Sequence, residues 1–309
     1  MTKKTFLGNL LLILAAIIWG GAFIAQKTGL ETLGPITFNG VRSLIGALGL
    51  GAFLAIRSVI TKKNVSVSGR GLLHGLILGI IVFFASTLQQ LGLATVNAGR
   101  AGFLTAIYIV MVPIIKGIFG KKVSKSVLLA VCLALAGLFM LSAANAKAPD
   151  GSFSLSLLFS GFSVGDILII CGSFFFSLHI IAVDSFVQKT DGVMLSCLQF
   201  AVSGLISVPV FLIREGVPTV SGIFGGWTEL LYAGLLSCAV AYTLQILGQK
   251  LSTNPTVAAV LMSTESMFAA IFGMLLLSES HLFIEYLGCV FVFAAVIVAQ
   301  LPAKSKADK

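Results

Sequence analysis

The feature that most constrains this chain is a series of apolar segments longer than about 18 residues that recur along its whole length. A helix of about 20 residues crosses a hydrocarbon core of roughly 30 Å, and segments 7–25 and 287–301 are apolar on every face. Strands of a membrane barrel would instead alternate apolar and polar residues over about ten positions. The pattern therefore predicts an all-α integral membrane protein.

The composition agrees with a surface that lies in lipid. Only 10% of the residues are charged and 58% are hydrophobic, whereas soluble domains carry about 25% charged residues. The net charge of +9 could suggest a nucleic-acid partner, but the basic residues lie in short loops between apolar runs. We interpret this charge as a signal of membrane topology and expect no nucleic-acid partner.

The five cysteines lie inside apolar segments and show no CxxC spacing, so we expect buried free thiols, no metal and no cofactor. The basic N-terminal residues and the apolar run after them resemble a signal peptide, but no Ala-x-Ala cleavage site follows the run. We interpret the run as the first membrane span. The cysteines are Cys132, Cys171, Cys197, Cys238 and Cys289.

Glycine, proline and asparagine clusters between the apolar runs predict ten transmembrane helices. Fifteen lysines and arginines fall on the side shared by both termini, four fall on the other side, and Arg42 lies within a span. The positive-inside rule then places both termini in the cytoplasm and the protein in the plasma membrane. The predicted helices are 6–28, 34–57, 71–93, 98–119, 126–145, 163–187, 191–213, 229–250, 255–277 and 282–302.

An internal match divides the chain into two halves. Leu88–Gly92 matches Leu244–Gly248 at four of five positions, 156 residues later, and the same offset superposes the turns 97–99 and 253–255. Because each half has five spans, the second must insert upside down, as in the inverted repeats of secondary transporters. We predict a first repeat at 1–147, a connecting loop at 148–162, a second repeat at 163–303 and a cytoplasmic tail at 304–309.

Several short motifs follow one another along the chain: Trp19–Phe23, Arg42, Gly92–Leu104, Pro113, Gly248–Leu261, Leu277–Ser280 and Gly288. In their order and spacing they resemble the drug/metabolite transporter superfamily, in its EamA branch of ten-helix carriers. The resemblance implies two inverted five-helix repeats around a central cavity lined mainly by helices 1–4 and 6–9. It does not fix the substrate, since relatives carry amino acids, nucleotide sugars, sugars or drugs. The chain departs from the family near Ala269, where proline is frequent, and at Ser278, where glycine is frequent.

Glu265 is the first candidate for the transport pathway. It lies about eleven residues into helix 9, near the middle of the bilayer. An ionisable group at this depth is costly and is expected to face a cavity or a partner. It could receive a substrate amine or a proton; the alternative is a structural hydrogen bond to another helix. Its neighbour Ser263 adds to the polarity of this point.

Arg42 is the second candidate, in the outer part of helix 2. Asn39, Arg42 and Gly46 share one helix face at spacings of three and four. A guanidinium stays charged and pairs well with carboxylate or phosphate. We expect Arg42 either to bind an anionic substrate group or to form a structural ion pair, with Glu265 as one candidate partner.

Further polar and aromatic side chains are expected near these two. Thr105 and Tyr108 share a face of helix 4, and Pro113 is expected to bend that helix. For each of these side chains the alternative to lining the pathway is a structural hydrogen bond between helices. A proton relay through His179 and Asp184 is a further, less favoured hypothesis. The full predicted set is Trp19, Asn39, Arg42, Gln89, Thr105, Tyr108, Tyr242, Gln245, Ser263 and Glu265.

These observations favour a secondary carrier that moves a small polar or amphiphilic metabolite by alternating access. Paired charges favour an amino-acid-like substrate, and the resemblance favours export. The alternatives are a channel-like or structural membrane subunit and, less favoured, an integral membrane enzyme. The enzyme is less favoured because the three histidines of the chain lie on different helices and lack the spacing of metal ligands. The coupling ion (a proton is compatible) and a homodimeric state are left open.

Overall fold

The structure is a computed structural model that describes residues 2–62, 67–96, 98–121, 123–141, 163–252, 254–277 and 283–300. Within these ranges the chain is helical and contains no strand, which confirms the predicted fold class. The first half forms α1 (Lys3–Gly29), α2 (Pro35–Thr61), α3 (Gly69–Thr95), α4 (Ala98–Thr105 followed by Tyr108–Ile118) and α5 (Lys125–Leu141).

The second half repeats this order. It forms α6 (Val164–Phe186), α7 (Gly192–Arg214), a short helix at Val220–Gly225, α8 (Trp227–Leu231, a π-helix at Tyr232–Ala241 and Tyr242–Leu251), α9 (Pro255–Met262 followed by Glu265–Leu277) and α10 (Phe283–Ala299).

Eight helices in the described ranges are long and apolar enough to cross a membrane, and α5 and α10 are apolar helices of 17 residues each. The eight agree with eight of the predicted spans. The total of ten and the inverted orientation of the halves stay predictions. The predicted loop at 148–162 and the tail at 304–309 lie outside the described residues.

Local chemistry accounts for several helix starts. Ser163 and Asp166 form a capping box at the start of α6, and the Asp191 side chain accepts from the Met194 amide at the start of α7. Pro35 and Pro255 occupy the first helical position of α2 and α9, where the missing amide hydrogen costs nothing.

Glycines bring helices from the two halves into backbone contact. A Cβ built on Gly92 of α3 would lie 2.5 Å from the carbonyl oxygen of Gly165 in α6. Likewise, a Cβ on Gly8 of α1 would lie 2.8 Å from the carbonyl oxygen of Gly248 in α8. Gly92 and Gly248 are 156 residues apart and Gly8 and Gly165 are 157 apart, so the two contacts occupy corresponding positions of the halves. Small residues permit this close packing of membrane helices.

Two helices are broken at corresponding points. In α9 the hydroxyls of Ser263 and Thr264 donate to the carbonyls of Val260 and Leu261, 2.8 and 2.7 Å away. These local bonds compete with the helical ladder and mark its interruption. In α4 the helix is interrupted after Thr105, whose carbonyl accepts from another helix, a known cause of kinks.

One expectation needs correction. The break in α4 lies at positions 106–107, Pro113 sits inside the helical segment that follows it, and the bend expected at Pro113 stays a prediction. All five cysteines are free, but Cys132 and Cys171 are exposed on the helix surface, and only Cys238 is fully buried. Thiols behave as small hydrophobes, so an apolar sequence context does not distinguish a core position from a lipid-facing one.

Candidate functional site

A cavity lies where α1, α2, α3, α4, α6, α8 and α9 meet. It is partly open and holds about 520 Å³ of empty space, the open solvent at its edges included. All seven helices belong to the set that the resemblance predicted to line a cavity. The lining residues are Trp19, Phe23, Gln26, Arg42, Gln89, Thr105, Tyr108, Phe176, His179, Ile180, Ser237, Tyr242, Gln245, Met262 and Glu265.

Arg42 brings a buried positive charge to this cavity. It is 5% exposed, and its Nε and Nη2 donate to the Asn39 side-chain oxygen at 3.1 and 2.9 Å. The Asn39 amide nitrogen in turn donates to the Thr87 hydroxyl at 3.0 Å. No carboxylate of the described residues lies within 4.0 Å of the guanidinium. Asn39 therefore orients the charge but does not neutralise it.

Glu265 is the first residue of the second segment of α9 and is also 5% exposed. Its Oε1 accepts a hydrogen bond of 3.1 Å from the Tyr108 hydroxyl. Tyr108 is the first residue after the break in α4, so both broken helices meet at this bond. Within the described ranges no cationic group lies within 4.0 Å of the Glu265 carboxyl, so Arg42 and Glu265 line one cavity without forming an ion pair.

Aromatic rings form one wall of the cavity around Tyr242. The ring centroids of Trp19 and Phe200 each lie 4.9 Å from that of Tyr242, in edge-to-face geometry. His179 approaches the same ring at 5.7 Å. Arg42 and Glu265 line the same cavity as Tyr242. The wall thus combines apolar ring surface with two opposite charges nearby.

Amide side chains also line the cavity. Gln89 of α3 donates to the Thr105 hydroxyl at 2.9 Å. Gln26 of α1 donates to the Ala22 carbonyl at 3.0 Å, and its own oxygen has no hydrogen-bond partner among the residues described. Buried polar atoms without partners are uncommon, and this oxygen is itself buried.

Eight of the ten predicted pathway residues line the cavity, and two do not. Asn39 lies behind Arg42 as its acceptor, and the Ser263 hydroxyl bonds to its own helix. Two lining residues that were missed, Phe176 and Ile180, lie 157 residues after Trp19 and Phe23, which is one more than the offset of 156 between the matching sequences. Gln26, Ser237 and Met262 carry no comparable sequence signal.

An ion pair closes the end of the bundle that the charge count predicts to face outward. Arg100 at the start of α4 makes two bonds, of 2.7 and 3.0 Å, to Asp166 at the start of α6. Nearby, the Lys27 ammonium donates to the carbonyls of Leu93 and Val96 at the end of α3. At the opposite end Lys116 donates to Asn254 at 3.2 Å. At this second end Arg57 also pairs with Asp191 at 3.3 Å, so ion pairs and hydrogen bonds link helices at both ends.

No group of three or more His, Cys, Asp or Glu in the described part of the chain is arranged to hold a metal ion. The apolar helices of span length, arranged around a partly open cavity between the two halves, define a multi-pass membrane protein. The sequence profile of the EamA-like transporter family matches residues 6–143 and again 163–300. The chain belongs to this family and is a membrane transporter.

Individual relatives agree with this assignment. An "Uncharacterized transporter" of Archaeoglobus fulgidus is 30% identical over 96% of this chain and 87% of its own. The "Uncharacterized inner membrane transporter YedA" of Escherichia coli K12 is 25% identical over 91% of this chain and 87% of its own. A solved structure described as "Crystal structure of protein" has a TM-score of 0.72 at 14% identity, covering 96% of this chain and 97% of that one. This last likeness shows the fold alone.

Proposed function

We propose that the protein is a secondary carrier that exports a small zwitterionic, amino-acid-like metabolite across the plasma membrane by alternating access. The observation that carries the proposal is that two ionisable groups of opposite sign, Arg42 and Glu265, line one cavity without an ion pair between them. A charge that is buried and unpaired is costly, and a zwitterion would compensate both charges at once.

The geometry supports one role for each charge. Arg42 has its Nε and Nη2 held by Asn39, so the rest of the guanidinium fork can meet a carboxylate in bidentate fashion. Glu265 has one oxygen held by Tyr108, and its other oxygen can accept from a substrate ammonium. The aromatic wall around Tyr242 would cover the apolar part of the substrate.

The broken helices suggest how binding is coupled to movement. Interrupted helices that meet near the bilayer midplane are a recurring feature of carriers built from repeats. The Tyr108–Glu265 bond joins the breaks of α4 and α9, so a substrate that binds Glu265 acts on both helices together. A proton on Glu265 in the absence of substrate would give an exchange of substrate for proton.

Counterflow in proteoliposomes tests the proposal. Vesicles preloaded with a mixture of zwitterionic amino acids should accumulate the labelled substrate transiently and with saturation. Glu265→Gln and Arg42→Ala should abolish this flux. The half-buried Glu229 and the exposed Arg214 lie outside the cavity lining and offer matched controls, Glu229→Gln and Arg214→Ala, that should not. Normal flux in both cavity variants would contradict the site.

The same vesicles separate the alternatives. A channel would give flux that neither saturates nor depends on substrate on the opposite side. An enzyme would convert the substrate into a product that chromatography detects. An imposed pH gradient tests proton coupling: export against a substrate gradient should then require protons outside, and Glu265→Gln should remove that dependence.

A further inference from the structure

The wall contributed by α6 and α8 holds two polar side chains that the proposed function does not use. His179 and Gln245 both line the cavity, and they are 1% and 2% exposed. They flank Tyr242: its ring lies 5.7 Å from that of His179, and Gln245 follows it by three residues, about one turn, on α8. The three residues form one continuous patch.

The orientation of the Gln245 amide is fixed by a chain of hydrogen bonds. The carbonyl oxygen of Ile180 can only accept, and it receives the Gln249 amide nitrogen at 2.8 Å. Gln249 must therefore turn its oxygen to Gln245, whose nitrogen donates to it at 3.1 Å. This leaves the Gln245 oxygen as a buried acceptor without a partner among the described residues.

His179 offers a second acceptor. Its Nε2 lies 2.9 Å from the side-chain oxygen of Gln199. In this arrangement the Gln199 oxygen accepts from Nε2, which leaves Nδ1 with a lone pair; unlike Gln245, Gln199 has no second bond among the described residues that fixes its amide orientation. Within the described ranges Nδ1 has no hydrogen-bond partner. The patch around Tyr242 thus presents the Gln245 oxygen and the His179 Nδ1, beside a tyrosine hydroxyl that can donate or accept.

The repeat relates the partner of His179 to Arg42. Gln199 lies 157 residues after Arg42, the same separation as Gly8 and Gly165, so the second half has a neutral amide at the position where the first half has a guanidinium. The substrate carboxylate is assigned to Arg42 and its ammonium to Glu265. What remains for the acceptor patch is a third group of the substrate, one that donates hydrogen bonds without carrying charge.

We propose that His179 and Gln245 form a subsite for an uncharged hydrogen-bond donor, a hydroxyl or a primary amide, on the side chain of the substrate. This inference rests on the proposed function and narrows its substrate class. A side chain with a donor satisfies the buried oxygen of Gln245, whereas an apolar side chain of the same shape leaves that oxygen unpaired. Sites built to bond a hydroxyl reject the analogue that lacks it for this reason.

A tryptophan in the cavity provides a direct binding test. The chain has two tryptophans: Trp19 lines the cavity, and Trp227 is 56% exposed. In the full-length W227F protein, fluorescence therefore reports on the cavity through Trp19, with the melting temperature as a second signal. The probes are two pairs of similar shape, threonine with valine and asparagine with leucine. We expect the donor-bearing member of each pair to bind about five- to tenfold more tightly.

Two substitutions and a control on the same helix complete the test. Gln245→Met removes the acceptor at nearly constant shape, and His179→Phe keeps a ring beside Tyr242 without its nitrogens. Each should bring the affinity ratio within a pair to about twofold or less while binding persists. Thr243→Val removes a hydroxyl that also lacks a partner in the described chain but lies outside the cavity lining, and it should keep the full ratio.

The outcomes separate the subsite from the proposed function. Equal affinities within both pairs in the W227F protein would overturn the subsite and leave a zwitterion carrier standing. An unchanged ratio in both cavity variants would also overturn the subsite. If no probe changes either signal, the zwitterion proposal is wrong and the subsite falls with it.

Discussion

Tyr108 donates a 3.1 Å hydrogen bond to Glu265, and each is the first residue after the break in its helix. The two residues are 157 positions apart, close to the offset of 156 that relates the matching sequences of the halves. The bond therefore joins corresponding points of α4 and α9. It is the closest polar link between the two halves within the cavity lining.

Replacing Tyr108 with Phe tests this link. The ring is 4% exposed and should stay packed, so the free energy of unfolding should fall by only about 1 kcal/mol, the worth of one hydrogen bond. Without its donor the Glu265 carboxyl is free to rotate, and we expect the KM for counterflow to rise about tenfold. Kinetics and thermal unfolding measure both effects. Tyr286→Phe on the exposed face of α10 is the control. An unchanged KM would show that Tyr108 does not orient the carboxyl.

Asn39 should affect binding although it does not line the cavity. Asn39→Ala removes the acceptor of two guanidinium nitrogens without changing the charge, and we expect KM to rise about tenfold with little loss of maximal rate. Asn39→Asp should be worse, because its carboxylate would pair with Arg42 and compete with the anionic substrate group. Ser196→Ala, at the corresponding position of the second half, removes a hydroxyl with no described partner and should be neutral. If the two Asn39 variants had the same KM and maximal rate as the Ser196→Ala control, Asn39 would not orient Arg42.

The glycine contact between α3 and α6 predicts a stability effect. In Gly92→Ala the new Cβ would lie 2.5 Å from a backbone oxygen that cannot move independently. We expect a loss of about 1–3 kcal/mol of unfolding free energy, typical of overpacking. A Cβ on Gly51 of α2 meets nothing within 4 Å, so Gly51→Ala should be neutral or stabilising by up to about 1 kcal/mol. Thermal unfolding in detergent compares the two variants, and equal stabilities would argue against the close contact.

The predicted orientation can be tested by labelling single cysteines. After replacement of the five native cysteines, Val217→Cys and Lys121→Cys place thiols at opposite ends of the bundle, both at exposed positions. An impermeant maleimide should label position 217 on intact cells, and position 121 only after permeabilisation. The reverse pattern would place the termini outside and would move the Arg100–Asp166 ion pair to the cytoplasmic end.

The sequence alone determined the class of protein and the two charges of its cavity. Apolar segments of span length allow few folds, since every backbone group in lipid must be bonded within its own helix or barrel. In so apolar a chain, Arg42 and Glu265 are conspicuous because a charge in a span requires a cavity or a partner. Both do line the cavity.

Only the tertiary structure decided which side chains meet. Neighbouring polar residues diverge: Glu265 reaches Tyr108, while Ser263 bonds back to its own helix. Asn39 turns to Arg42, and Gln245 keeps a free oxygen because Gln249 is held by a carbonyl on another helix. These outcomes depend on how the helices rotate and cross, which sequence periodicity does not specify. They also depend on two helix breaks whose positions are set by competing side-chain hydrogen bonds.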